Sequence, residues 1–120
     1  LDHRIRRVDA VLFSHAHADH VFGFDDIRRF NTMQDAVIPA YANRETVDDL
    51  RRIFNYVERK RVAGLYHPRI TFVAVEEPFA IGDLRVTPLP VEHATTPTFG
   101  YRFDADGHSA AYVPDCRRMP

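Results

Sequence analysis

The chain has 120 residues, 45% of them hydrophobic, with 16 basic and 17 acidic side chains; that is enough for one modest core and too little for two domains. A net charge of -1 gives no electrostatic reason to expect nucleic acid or a membrane surface as partner. The lone cysteine, Cys116, excludes an internal disulfide and a cysteine-based zinc finger; with no signal-like segment and no apolar run of membrane-spanning length, a cytoplasmic domain is expected.

The chain opens at Leu1 and enters a predicted strand within a few residues, then stops soon after another. Both edges read as cuts, so residues 1–120 are expected to form the central portion of a single larger domain. Val8, Ala10, Val11, Leu12 and Phe13 make a nearly continuous apolar run, the mark of a strand covered on both faces in a layered α/β fold. It leads into Ser14-His-Ala-His-Ala-Asp-His20. From Asp19 to about Phe30, Phe22 (or Val21), Phe24, Ile27 and Phe30 recur at helical spacing, with Asp25, Asp26, Arg28 and Arg29 opposite; an amphipathic helix is predicted.

Val37, Ile38, Ala40 and Tyr41 predict a second strand, which Pro39 should confine to a sheet edge. Asn43 is a candidate N-cap, Glu45 suits a first turn, and Val47, Leu50, Ile53, Phe54 and Val57 extend one apolar stripe, predicting a helix from about 44 to 59. Ile70 to Val75 reads as a strand. Phe79 to Val91 reads as two strands about a turn at Gly82 and Asp83, and Phe99 to Val113 as two more about Asp106 and Gly107. The order is strand, helix, strand, helix, then a run of strands.

Three histidines and an aspartate within seven residues have ligand chemistry. Imidazole and carboxylate suit zinc, manganese or iron, and the lack of thiolates argues against copper(I) and structural zinc. Side chains two apart on an extended segment point the same way, so His15 and His17 can hold one ion. Asp19 and His20 stand where the chain turns into the helix, aimed elsewhere and available to a second. The small residues Ala16 and Ala18 let the backbone bend closely around both.

His-x-His-x-Asp-His after an apolar strand resembles the metallo-β-lactamase superfamily of binuclear metallohydrolases. The resemblance implies an α/β fold, the αβ/βα sandwich of that superfamily, with the metals at one edge. It also implies a distant histidine and a distant bridging aspartate, which Pro90-Val-Glu-His93 and Tyr112-Val-Pro-Asp115 supply. By the family pattern His15, His17 and His93 hold one metal, Asp19 and His20 belong to the other, and Asp115 bridges. Residues 17–31 and 89–103, with Phe99-Gly-Tyr-Arg-Phe103 after the third histidine, are similar to the phosphodiesterase branch, which includes phosphoribosyl cyclic phosphodiesterases and transfer-RNA processing endonucleases. The family's further metal-binding histidine and its N-terminal hairpin have no counterpart in these residues.

The resemblance therefore implies two divalent ions, zinc or manganese with iron as a further choice, and cleavage of a phosphodiester by metal-activated hydroxide, with Asp19 as the catalytic carboxylate. A small ribose cyclic phosphodiester is the first-choice substrate. An RNA-processing endonuclease of the same fold, or a non-catalytic binding module, is the alternative; a homodimer is left open and a membrane partner is not expected. Glu92 to Thr95 resembles a proton-donor motif with its letters scrambled and is read as coincidence. His3, His67 and His108 are expected to face solvent, Asp25 and Asp26 to lie on the wet face of the first helix, and Arg28, Arg29, Arg51 and Arg52 to be solvated unless they meet phosphate.

Overall fold

The computed structural model describes residues 5–58 and 69–114. Three strands, β1 (Val11–Leu12), β2 (Ile38–Ala42) and β3 (Ile70–Ala74), form a parallel sheet in the order β1-β2-β3. Four more, β4 (Phe79–Ile81), β5 (Leu84–Val91), β6 (Thr98–Ala105) and β7 (His108–Tyr112), form an antiparallel meander in chain order. Between β1 and β2 run α1 (Ala18–Val21), a 3-10 segment (Phe22–Ile27) and α2 (Arg28–Gln34); α3 (Arg44–Ile53) follows β2.

Parity along the strands separates two cores. Ile38, Ala40 and Ala42 of β2 and Ile70 and Phe72 of β3 face Val21, Phe24, Val47, Leu50, Phe54 and Val57 of the helical layer. Leu12 and Val75 turn the other way, toward Val86, Phe99 and Tyr101 of the antiparallel sheet, and Tyr41 stacks on Phe79 with ring centroids 4.5 Å apart. The described residues thus form three layers, helices over a parallel sheet over an antiparallel sheet. The apolar run at β1 follows directly, since Val11 packs into one core and Leu12 into the other.

Four expectations need correction. β2 is the central strand of its sheet, not an edge. Pro39 is tolerated because the N–H of Ile38 reaches Arg69 O while Tyr41 O accepts from Phe13 N, so odd positions face β1. The N–H that Pro39 lacks would point to residues before β1 pairing begins at Val11. The helix expected from 19 to 30 is broken by the 3-10 segment and then runs on to Gln34; Val21 is buried and Phe22 is exposed, so the stripe runs through Val21. Asp25 is no simple solvent-facing acid, because it accepts a 2.7 Å hydrogen bond from Tyr56 Oη.

The fourth concerns α3, which ends at Ile53 rather than 59. Its start is as predicted: Asn43 Oδ1 accepts from Thr46 N at 2.8 Å, and Glu45 occupies the first turn. Leu50, Phe54 and Val57 stay buried although the chain leaves helical geometry at Phe54. Burial needs only that these side chains reach the core, and a turned segment with Val57 N bonded to Phe54 O satisfies that as well as a helix. Glu58 then accepts from Phe72 N and from Arg51 Nε, covering a donor on the edge strand β3.

The antiparallel sheet matches its prediction closely. Ile81 pairs with Leu84 about Gly82 and Asp83, and Ala105 with His108 about Asp106 and Gly107; φ values of 51° and 75° at the latter two are those of a type I′ turn. Gly100 is required by close approach, since a Cβ there would lie 2.9 Å from Tyr112 O. Among the described residues no helix is long and apolar enough to cross a membrane.

Candidate metal centre

The heptapeptide begins where β1 ends, and its position is fixed by the other sheet. Tyr101 Oη donates to Phe13 O at 2.7 Å, and Phe99 N donates to Ser14 O at 2.9 Å. Both carbonyls belong to the two residues between β1 and His15, so β6 holds the end of β1. Tyr101 is 1% exposed, and burial pushes its phenol well above the ordinary range, keeping it a hydrogen-bond donor.

His15 is fully buried, while His17 is exposed at the N-cap of α1 with extended backbone, ψ 146°. His20 N bonds back to His17 O at 2.9 Å, turning the chain into α1. His93 comes from the loop after β5. Thr96 N closes a turn on His93 O at 3.0 Å, and Ala94 inside it takes φ 50°, a left-handed conformation that costs a non-glycine residue about 1–2 kcal/mol. Strain of this kind persists where surrounding contacts impose it.

These two loops bring three imidazoles together. Ring centroids are 4.5 Å apart for His15 and His17, 4.8 Å for His15 and His93, and 5.1 Å for His17 and His93. One ligand nitrogen from each lies within 4.8 Å of the others. His17 Nδ1 and His93 Nε2 stand 3.3 Å apart. Two nitrogens on one tetrahedral zinc, each about 2.0–2.1 Å from it, are about 3.3–3.4 Å apart, so this pair already has the spacing of neighbouring ligands.

On two of the three rings the other nitrogen is engaged by a hydroxyl. Ser14 Oγ lies 3.0 Å from His15 Nδ1, and Thr96 Oγ1 lies 3.3 Å from His17 Nε2. Such partners fix tautomer and ring orientation in metal sites, and here they leave Nε2 of His15 and Nδ1 of His17 as the nitrogens to offer an ion. The donor set, all imidazole with carboxylate nearby, fits a borderline divalent cation.

The His20 ring lies tilted against His15, centroids 4.2 Å apart, and pairs with Asp19 at 3.4 Å, so both residues expected at a second ion border the first cluster. The Asp19 side chain is 78% exposed. Asp115, His3 and His67 lie outside the described residues. His108 is exposed on β7, as expected. Arg28, Arg51 and Arg52 pair with Asp25, Glu58 and Asp49 respectively. Ser14, Thr96 and Tyr101 were not singled out from the sequence. Their signal was adjacency alone: a hydroxyl before the first histidine, another three residues after the third, and a tyrosine in the following strand.

A family model described as the beta-lactamase superfamily domain matches residues 1–120. An octanoyltransferase of Porphyromonas gingivalis is 35% identical over 99 residues, 82% of this chain and 20% of that protein. A ribonuclease Z of Treponema denticola is 26% identical over 123 residues, 98% of this chain and 38% of that protein. The chain thus spans one fifth and about two fifths of these relatives. Among solved structures, a diphosphatase from the PhnP family superposes with a TM-score of 0.70 at 31% identity, over 85% of this chain and 38% of that one.

Proposed function

Since the chain belongs to the beta-lactamase superfamily, we propose that it carries the metal-binding face of a binuclear hydrolase that cleaves a phosphodiester, with a small ribose cyclic phosphodiester as first-choice substrate. The observation that carries the reading is the convergence of His15, His17 and His93, with His17 Nδ1 and His93 Nε2 at ligand spacing. Likeness to a PhnP-family diphosphatase and to a ribonuclease Z favours phosphorus chemistry. The lone Cys116 supports a cytoplasmic setting.

In this reading His15, His17 and His93 would hold one ion, Asp19 and His20 would serve the second, and Asp115 would be shared between them. β7 ends with Tyr112 opposite Tyr101, three residues from the start of β6 at Thr98, so the chain leaves the strand toward the end of the sheet where the histidines lie. Two bound divalent ions, zinc or manganese with iron as third choice, would supply an activated water and neutralise charge on the phosphoryl oxygens. Asp19, largely exposed beside the cluster, accepts a hydrogen bond from the attacking water and orients it. Ser14 and Thr96 hold the ring tautomers that ligation needs.

The test is hydrolysis of bis-p-nitrophenyl phosphate with added manganese or zinc. Turnover should vanish on chelation, and Asp19→Ala should lower it by about 10²–10⁴-fold. A protein that binds the metal but leaves this diester intact would instead be a binding module. The ribonuclease Z relative, matched over 98% of this chain, favours an RNA-processing endonuclease as the second reading. Faster cleavage of precursor transfer RNA than of a ribose cyclic phosphate would select it.

A further inference from the structure

Asn43 caps α3, and its side chain does more than that. Oδ1 accepts from Thr46 N at 2.8 Å, the capping bond of α3. Nδ2 donates to Pro97 O at 3.1 Å, across 54 residues. The residue is buried, 7% exposed. Only one orientation of the amide serves both partners, because a backbone N–H requires the carbonyl end and a backbone C=O requires the amino end.

We propose that Asn43 is a positioning residue of the metal centre: one buried amide ties the start of α3 to the loop carrying His93 and Thr96, and so sets their distance from His17. The loop has few ways to hold its shape unaided. It begins after β5 ends at Val91 and rejoins the sheet at Thr98. Within it, Thr96 N bonds His93 O and Thr98 Oγ1 bonds Thr96 O at 3.0 Å; these shape the turn without anchoring it to the layer from which His15 and His17 come. At its far end Phe99 N is fixed to Ser14 O. Asn43 fixes Pro97, next to Thr96, to the segment that follows the central strand β2.

A second register of anchoring therefore lies one residue from the hydroxyl that engages His17 Nε2. If the amide released Pro97, the tie of Phe99 N to Ser14 O would remain, but the loop would lose its anchor beside Thr96.

This inference rests on the metal-site reading above and is separable from it. Asn43→Ser and Asn43→Asp both keep an oxygen that caps α3 well; the carboxylate has no donor for Pro97 O, and the serine hydroxyl, one bond shorter than the amide, does not reach Pro97 O while capping α3. Cobalt(II) serves as probe: affinity is read by competition with a chelator, ligand geometry by the visible d–d absorption, and fold by thermal unfolding without metal. The proposal expects both variants to bind cobalt about 10- to 100-fold more weakly than the unsubstituted protein, with altered visible bands; the metal-free unfolding midpoint falls as well, because Pro97 O is left without its donor, so the visible bands carry the decision. Unsubstituted affinity and spectrum in both variants would overturn it. So would weaker binding that keeps the visible bands of the unsubstituted protein, which marks the amide as merely structural. Failure of the unsubstituted protein itself to bind cobalt would sink the metal reading first, and this one with it.

Discussion

The two sheets of the molecule are built to different standards of burial. On the helical side of the parallel sheet twelve apolar side chains are buried, from Phe13 to Phe72. Among the described residues the antiparallel sheet buries Val86, Phe99 and Tyr101 in its own apolar cluster, and every residue of β7 is exposed. The histidines belong to neither core. They sit where the well-filled layer meets the open one, held by a few polar ties between the two: Tyr101 to Phe13, Phe99 to Ser14, Asn43 to Pro97. Apolar burial sets the stability of the layers, whereas a handful of hydrogen bonds sets the distance between His93 and its partners.

That contrast is breakable in order of effect. Leu50 is fully buried in the larger core, so Leu50→Ala should cost about 2–5 kcal/mol in denaturant unfolding; a cost below about 1 kcal/mol would mean that this layer is not where stability resides. Tyr101→Phe keeps the ring and removes the donor to Phe13 O. It should cost about 1–3 kcal/mol for the stranded carbonyl and also weaken metal binding. Loss of stability with metal affinity intact would contradict the view that β6 positions the motif.

The smallest effect is a titration. Burial first, then the hydrogen bond to Asp25 and its charge, push Tyr56 up to about 12, and burial raises Tyr101 further. Both phenols are thereby held neutral in the folded state. The stability they contribute is fully present below the ordinary tyrosine range near 10 and is lost as pH rises through the folded values. Alkaline difference absorption of the native protein should therefore show two of the five tyrosines ionising late, together with unfolding. Tyrosines that all titrate near pH 10 without unfolding would contradict the buried tie.

Much of this architecture is legible in the residues. The run around Leu12 announces a strand covered on both faces, Asn43 announces a helix start, and Asp106-Gly107 announces a hairpin, because each depends on local chemistry. The fate of Pro39 is not local: whether its missing N–H matters depends on where β1 begins to pair. The end of α3 is likewise hidden, since a stripe continuing to Val57 satisfies burial in a helix or in turns. At the site, the donors His15, His17 and His93 are visible as residue types at telling spacings. Of the residues that hold them, Ser14 is the sequence neighbour of His15, whereas Thr96 and Tyr101 are common types whose roles appear only once residues 79 and 88 positions apart are neighbours.

The central claim is that His15, His17 and His93 close on one cation. Anomalous diffraction from crystals grown with zinc, recorded on either side of the zinc edge, tests it directly. The account predicts a peak about 2.0–2.1 Å from His15 Nε2, His17 Nδ1 and His93 Nε2. A zinc peak lacking His93 among its ligands, or three rings turned away from one another with no peak between them, would contradict it.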